Sequence, residues 1–230
     1  MATRFYPDPT NTPDVSPAYD GDWNDTTQAV RRKLELGTAG NNGSVARSYT
    51  DTSATTPYYA LLWQFVTEPL NSQGIQATGQ RILQALCYED SAKVNGNLAF
   101  ILRVCDGDGS NATKYGYNFV GLGTTEFDEN GYVNRTGSSE GITIAFDQGK
   151  RLILEVGVYF ANAKSDAYTG YVKVTDNHAS TDLPENETET TEYNSWFQCS
   201  GTFTVASGGA AVAPTSVIYG PLCGPLAGPI

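Results

Sequence analysis

Histidine occurs once in this chain, at position 178, and methionine once, at position 1. A catalytic centre built on a histidine base therefore has one residue to draw on. His178 stands in a polar, acidic loop beside Asp176 and Asn177, which reads as a solvated position rather than a general base. No His-Glu-x-x-His or P-loop pattern occurs. Basic residues are scarce too: 14 Lys and Arg face 25 Asp and Glu, for a formal charge of −11. Phosphate backbones are bound through Lys and Arg with counterion release, so nucleic acid is excluded as an expected partner, and so is an anionic membrane surface. No apolar run approaches the roughly 20 residues of a membrane helix. The opening Met1-Ala-Thr-Arg-Phe-Tyr-Pro7 carries no apolar signal core, so the expectation is a chain made and kept in a cytoplasm.

Cysteine is sparse and dispersed, at Cys87, Cys105, Cys199 and Cys223, with no Cys-x-x-Cys pair. A zinc cluster is not expected. A two-residue hairpin turn at Asn95-Gly96 would put position 87 opposite 104, and so Cys87 and Cys105 on opposite sheet faces. Small buried thiols are the expectation. Asp106-Gly-Asp108-Gly-Ser110-Asn111 looks like the first half of a calcium loop, but it lacks the sixth-position glycine and has Tyr117 where a carboxylate belongs. It reads as a strand-end turn, with an incidental cation site as the alternative. The run Glu185-Asn-Glu187-Thr-Glu189 is read as a solvated loop. No catalytic, cofactor or metal-binding residue is assigned.

What the chain does have is the material of sheets and turns: 24 Gly, 14 Tyr and many Thr and Asn. Strands are predicted over Arg31–Leu36, Tyr58–Val66, Ala77–Glu89, Leu98–Cys105, Lys114–Leu122, Gly141–Phe146, Arg151–Ala161, Tyr171–Thr175 and Phe197–Val205. The strictest is Arg151–Ala161, whose Leu152, Leu154, Val156, Val158 and Phe160 repeat at period two. Its other face, with Glu155, Gly157 and Tyr159, is predicted to be wet or to meet an interface. Tyr59, Leu61, Trp63 and Phe65 are predicted to share one face. Phe65, Phe100, Leu102, Leu154, Val156 and Val158 should then lie in one core. No βαβ alternation is visible. The fold class is all-β, an antiparallel β-sandwich of jelly-roll type with extended N- and C-terminal arms.

Three regions follow. Residues 1–29 form an extended arm holding Pro7, Pro9, Pro13 and Pro17, with Phe5, Tyr6, Tyr19 and Trp23 packing on the sandwich or on a neighbour. Residues 30–206 form the sandwich. Residues 207–230 form an apolar arm rich in Gly and Pro. Six acids and no Lys or Arg lie between Asp176 and Glu192, while Ser195 to Ile230 carries no charge at all. A free tail is ordinarily polar or charged. The arm is therefore expected to dock on protein, through Val217, Ile218, Tyr219, Pro221, Leu222, Pro225, Leu226 and Ile230.

Two stretches, Thr3-Arg-Phe-Tyr-Pro7 with Val15-Ser-Pro-Ala-Tyr-Asp-Gly-Asp-Trp23-Asn-Asp-Thr, and Thr181 to Trp196 with its acidic loop closing on Tyr193-Asn-Ser-Trp196, resemble a family of poorly characterised β-rich structural proteins of tailed phages and environmental viral genomes. The resemblance implies a virion location and a homo-oligomer that contacts other virion proteins such as capsid or tail subunits. It implies a capsid decoration or auxiliary protein without enzymatic activity, with a neck, tail or fibre component as the alternative. A carbohydrate-binding, lectin-like module with glycan as partner is a second alternative, because Tyr and Trp suit stacking on sugar rings. An enzyme ranks third, since nothing among the 25 acids singles out a glycosidase-type carboxylate pair.

Overall fold

The computed structural model describes residues 2–37, 43–52, 57–71, 75–77, 79–93, 95–114, 125–139, 143–161, 167–178 and 180–204. Among them are strands and no helix: Ala2–Pro7 (β1), Val30–Glu35 (β2), Gly43–Asp51 (β3), Tyr58–Thr67 (β4), Ile75–Ala77 (β5), Arg81–Glu89 (β6), Gly96–Cys105 (β7), Thr113–Lys114 (β8), Val133–Ser139 (β9), Ile144–Phe146 (β10), Arg151–Phe160 (β11), Tyr168–Asp176 (β12) and Trp196–Ser200 (β13). The all-β fold is as the sequence predicts. Eleven strands form one connected sheet and β10 pairs with β5 apart from it. Every strand pair is antiparallel except β2 with β4.

The sheet folds over at β1. Residues Ala2–Phe5 pair with Ser200–Phe197 of β13, whereas Tyr6 and Pro7 pair with Glu35 and Leu34 of β2. One layer runs from β1 through β13 to β6, which carries β9 along its other edge and β12 with β3 beyond its second half. The other layer runs β1-β2-β4-β11-β7-β8. Their inner faces meet. Phe100 of β7 stands edge-on to Phe197 of β13 at 5.8 Å, and the Trp63 indole N–H donates to the Val172 carbonyl at 3.4 Å. Gly137 leaves room for the Phe100 ring, since a Cβ there would lie 3.0 Å from it. Leu152, Leu154, Val156, Val158 and Phe160 of β11 are buried in this core with Phe65, Leu98, Phe100 and Leu102, as period two requires. Each such side chain contributes roughly 1.5–3 kcal/mol through burial.

Several sequence expectations are corrected. Tyr59, Leu61, Trp63 and Phe65 do not share a face, because the ladder with β11 shifts between Val156 and Gly157 and leaves Leu62 as an extra residue. This bulge turns Trp63 and Phe65 into the core and leaves Leu61 and Tyr59 on the outside. The turn at Asn95-Gly96 does not close a hairpin, for β6 and β7 belong to opposite layers. Cys87 still lies in the inner core and Cys105 on the outer face, both as free thiols with Cys199. Cys223 lies outside the described residues. The predicted strand Lys114–Leu122 is described only as Thr113–Lys114, and the rest of it lies outside.

Candidate functional site

Both outer faces of the sandwich are covered in part by the chain itself. Over the β4-β11-β7 face lies the segment that follows β1. Val15 packs against Val66, Cys105 and Ile153, while Tyr19 and Trp23 pack with Leu61, Ala99 and Ile101. The segment is fastened by Glu155, which is 0% exposed. Its carboxylate accepts from the Trp23 indole at 2.8 Å, from Gln64 Nε2 at 2.8 Å and from Arg103 Nη1 at 2.9 Å. The backbone N–H of Asp20 donates to both carboxylate oxygens at 3.2 Å. Arg103 also donates to the Ala18 carbonyl at 2.7 Å and pairs with Asp20 at 3.4 Å. The face predicted to be wet or interfacial is thus dry and occupied. A buried carboxylate is tolerable there because every lone pair meets a donor.

The opposite outer face, on β6, β9 and β12, is divided. Its lower half is covered by the acidic loop: Leu183 and Tyr193 pack with Ile82, Leu86 and Trp196. That loop is tied down at several points, while Glu185, Asn186 and Thr188 are exposed as expected. Asp182 accepts from Arg4 Nη1 at 2.8 Å and from the Tyr6 hydroxyl at 3.1 Å. Arg135 donates to the Glu187 carbonyl at 3.0 Å, and Asn134 N–H to that of Glu189 at 2.7 Å. At the upper end, Tyr171 and Tyr88 are direct cross-strand partners and Tyr132 joins them. Ring centroids lie 5.1 Å apart for Tyr88–Tyr171, 5.5 Å for Tyr88–Tyr132 and 6.4 Å for Tyr132–Tyr171. All three tyrosines are half-buried. The Lys173 ammonium stands 4.6 Å over the Tyr132 ring and pairs with Glu192. This tyrosine cluster combines apolar ring area with hydroxyls on the outer face. Sequence reading missed it because its members come from three separate segments. The available signal was an aromatic residue on the outward face of an alternating strand, as at Tyr88 beside the inward Cys87.

Burial pushes the Tyr132 phenol up to about 12, helped by the nearby Tyr171. Tyr6 is likewise pushed up to about 12, by burial first and then by the Asp182 charge. Both folded values lie above the ordinary 10.0, so the folded state holds these protons more tightly than the unfolded chain. Their contribution to stability is complete below pH 10 and is lost as pH rises from 10 to 12. The urea midpoint is expected to fall across that window, together with a late rise in tyrosinate absorbance. A flat midpoint through pH 12 would show the rings to be unperturbed.

Of the residues expected in the N-terminal arm, all four pack on their own sandwich. Phe5 is fully buried between Phe197 and Phe203, Tyr6 meets Asp182, Arg31 stacks 5.0 Å over Tyr19, and Trp23 meets Glu155. The C-terminal arm residues Val217, Ile218, Tyr219, Pro221, Leu222, Pro225, Leu226 and Ile230 lie outside the described residues. Asp106, read as the start of a half calcium loop, is held by Lys150 and by Asn111 Nδ2 at 2.7 Å, which keeps its carboxyl below the usual range. Among the described residues no group of three or more His, Cys, Asp or Glu is placed to hold a metal ion. His178 is less solvated than expected: its ring stands edge-on to Tyr193 at 5.3 Å and its backbone N–H donates to Asn194 at 3.0 Å. Gly137-Ser-Ser139-Glu-Gly141 has the spacing of a nucleophile elbow, a match that sequence reading overlooked. Ser139 sits in the β9–β6 ladder opposite Arg81, and residues 140–142 lie outside the described residues. Among the described residues no hydrogen bond links it to His178.

The architecture so defined is a two-layered all-β domain. No protein-family model matches the chain, and no curated protein matches it. Two solved structures of CocE/NonD family hydrolase from Staphylococcus aureus resemble it. One is 10% identical with a TM-score of 0.48, covering 87% of this chain and 36% of the hydrolase. The other is 11% identical with a TM-score of 0.45, covering 74% and 34%. The chain thus spans about a third of the hydrolases it resembles. The expectation of a tailed-phage decoration, neck, tail or fibre protein is corrected here, since these structural neighbours are hydrolases and not particle proteins. At such scores and identities nothing of the hydrolases' activity is carried over to this chain. The planes of the three clustered tyrosines are inclined by 38°, 46° and 79° to one another, so the cluster itself is not a flat platform.

Proposed function

We propose that this chain is a self-associating interaction domain, a rigid β-sandwich whose copies join through the uncharged segment 207–230. One observation carries the reading. The core closes among residues up to Phe203, which packs on Phe5 and Phe146 at 5.6 and 4.9 Å, while the residues beyond it are apolar and carry no charge. Left in water, they expose area that association removes at roughly 25 cal/mol per Å². An acidic surface of net charge −11 disfavours face-to-face contact between copies, and an uncharged segment avoids that repulsion.

Deletion of residues 207–230 tests this. The truncated chain is expected to keep its cooperative melting transition and to elute as a monomer where the full chain elutes as an oligomer by light scattering. A truncated chain that unfolds places the segment in its own core, and one that still associates places the contact elsewhere. Either outcome ends the proposal.

A further inference from the structure

Resting on that reading, we infer that the Gly-Pro repeat at the C-terminus of one copy docks on the tyrosine cluster Tyr88, Tyr132 and Tyr171 of another. The segment closes in three similar units, Gly220-Pro-Leu222, Gly224-Pro-Leu226 and Gly228-Pro-Ile230. Proline fixes φ and removes a donor, so ordering each unit costs less entropy at the proline and leaves carbonyls that need donors from a partner. Segments of this kind are recognised by grooves of aromatic rings that pack on proline and donate hydrogen bonds to its carbonyls. Among the described residues the tyrosine cluster offers the components of such recognition: three half-buried rings bearing hydroxyls, flanked by Lys173.

Topology favours docking between copies. Strand β13 runs antiparallel to β6, with Trp196 opposite Gln84 and Gln198 opposite Ile82. The chain therefore leaves past the Arg81 end of β6, and Tyr88 lies at the other end, roughly 20–25 Å away at about 3.3 Å per residue. A return along the same face is obstructed by the chain's own acidic loop, whose Leu183 and Tyr193 cover Ile82, Leu86 and Trp196. The tail of a neighbouring copy need not cross that loop to reach the cluster, whose Tyr132 borders it. The contact is heterologous, tail to face, so it builds rings or open chains rather than a closed pair.

Two variants of the full chain test the inference: Tyr171→Ala on the face, and Leu222→Asp with Leu226→Asp on the tail. Each alone is expected to weaken self-association at least tenfold in sedimentation equilibrium, with an unchanged tail or face respectively. Mixed together, they should form one-to-one pairs, because one supplies the tail and the other the face. A synthetic peptide of residues 219–230 should disperse the assembly of the unaltered chain, which gives a second readout should Tyr171→Ala fail to fold. Wild-type association by Tyr171→Ala, absence of pairing in the mixture, or indifference to the peptide overturns the tyrosine face as the dock. Association that survives deletion of 207–230 instead overturns the reading on which it rests.

Discussion

Glu155→Ala is expected to lower the unfolding free energy by about 3–5 kcal/mol, the range for removing one partner of a buried ion pair. The reason lies in what the carboxylate leaves behind. Arg103 is 5% exposed and would keep a buried charge opposed only by Asp20 at 3.4 Å. The Trp23 indole N–H and the Asp20 backbone N–H would lose their acceptor, and the Gln64 amide would keep only the Ala18 carbonyl at 3.3 Å. The segment that covers this face should therefore lift. Limited proteolysis between residues 18 and 29 should become faster than in the unaltered protein, and Trp23 emission should move toward that of a solvated indole. Glu155→Gln, which keeps the shape and one acceptor, should cost less than the alanine. Replacing the pair together, as Glu155→Leu with Arg103→Met, should recover much of the loss, since no uncompensated charge is left. Equal losses for the alanine variant and the double variant would show that packing, not the ion pair, holds the segment. Urea midpoints of the four proteins decide the matter.

That clasp also marks the limit of what could be read from the sequence. The period-two strands were legible because each alternates strictly and is long: Leu98–Cys105 and Arg151–Phe160 have the predicted inward faces. The same alternation misled on the other face of β11, where Glu155 looked wet. A charged residue on an alternating strand is ordinarily solvated, and only the tertiary fold brings Arg103, Gln64 and Trp23 to it from three distant segments. Strands β1, β3 and β9 escaped prediction for a related reason. Ala2–Pro7 contains a proline and reads as an arm, yet it joins the two layers. Gly43–Asp51 and Val133–Ser139 are poor in apolar residues because they lie at the margins of their layer, so no apolar period reveals them. Gly137 within β9 leaves room for the Phe100 ring on the facing layer. The Asn95-Gly96 signal was local turn chemistry, correct about a bend and silent about which layer follows it. The tyrosine cluster had no local signature, since Tyr88, Tyr132 and Tyr171 are adjacent only through the register of β6, β9 and β12.

The second large effect is expected at Gly157, which alternation places on the same outward face as Glu155. A glycine inside a regular strand weakens it unless something must approach closely, and here two groups do. A Cβ at position 157 would lie 2.0 Å from the Ala60 carbonyl oxygen and 2.8 Å from Cζ3 of Trp23. The first contact is backbone and cannot rotate away. It arises from the bulge at Leu62, which draws β4 toward β11 at the point where the register shifts. Gly157→Ala must therefore part the two central strands or displace the indole, and the indole cannot move without breaking its bond to Glu155. A loss of about 3 kcal/mol or more is expected, at or above the upper end for overpacking a filled site. Gly21→Ala is the matched control, because a Cβ there meets nothing within 4 Å, and its urea midpoint should stay close to that of the unaltered chain. Exposure of Trp23 should accompany the loss in Gly157→Ala, while Trp63 and Trp196, both 0% exposed, keep their buried emission. A Gly157→Ala protein as stable as the control would mean that β4 and β11 can separate freely at the bulge, and that the covering segment rests on Glu155 alone.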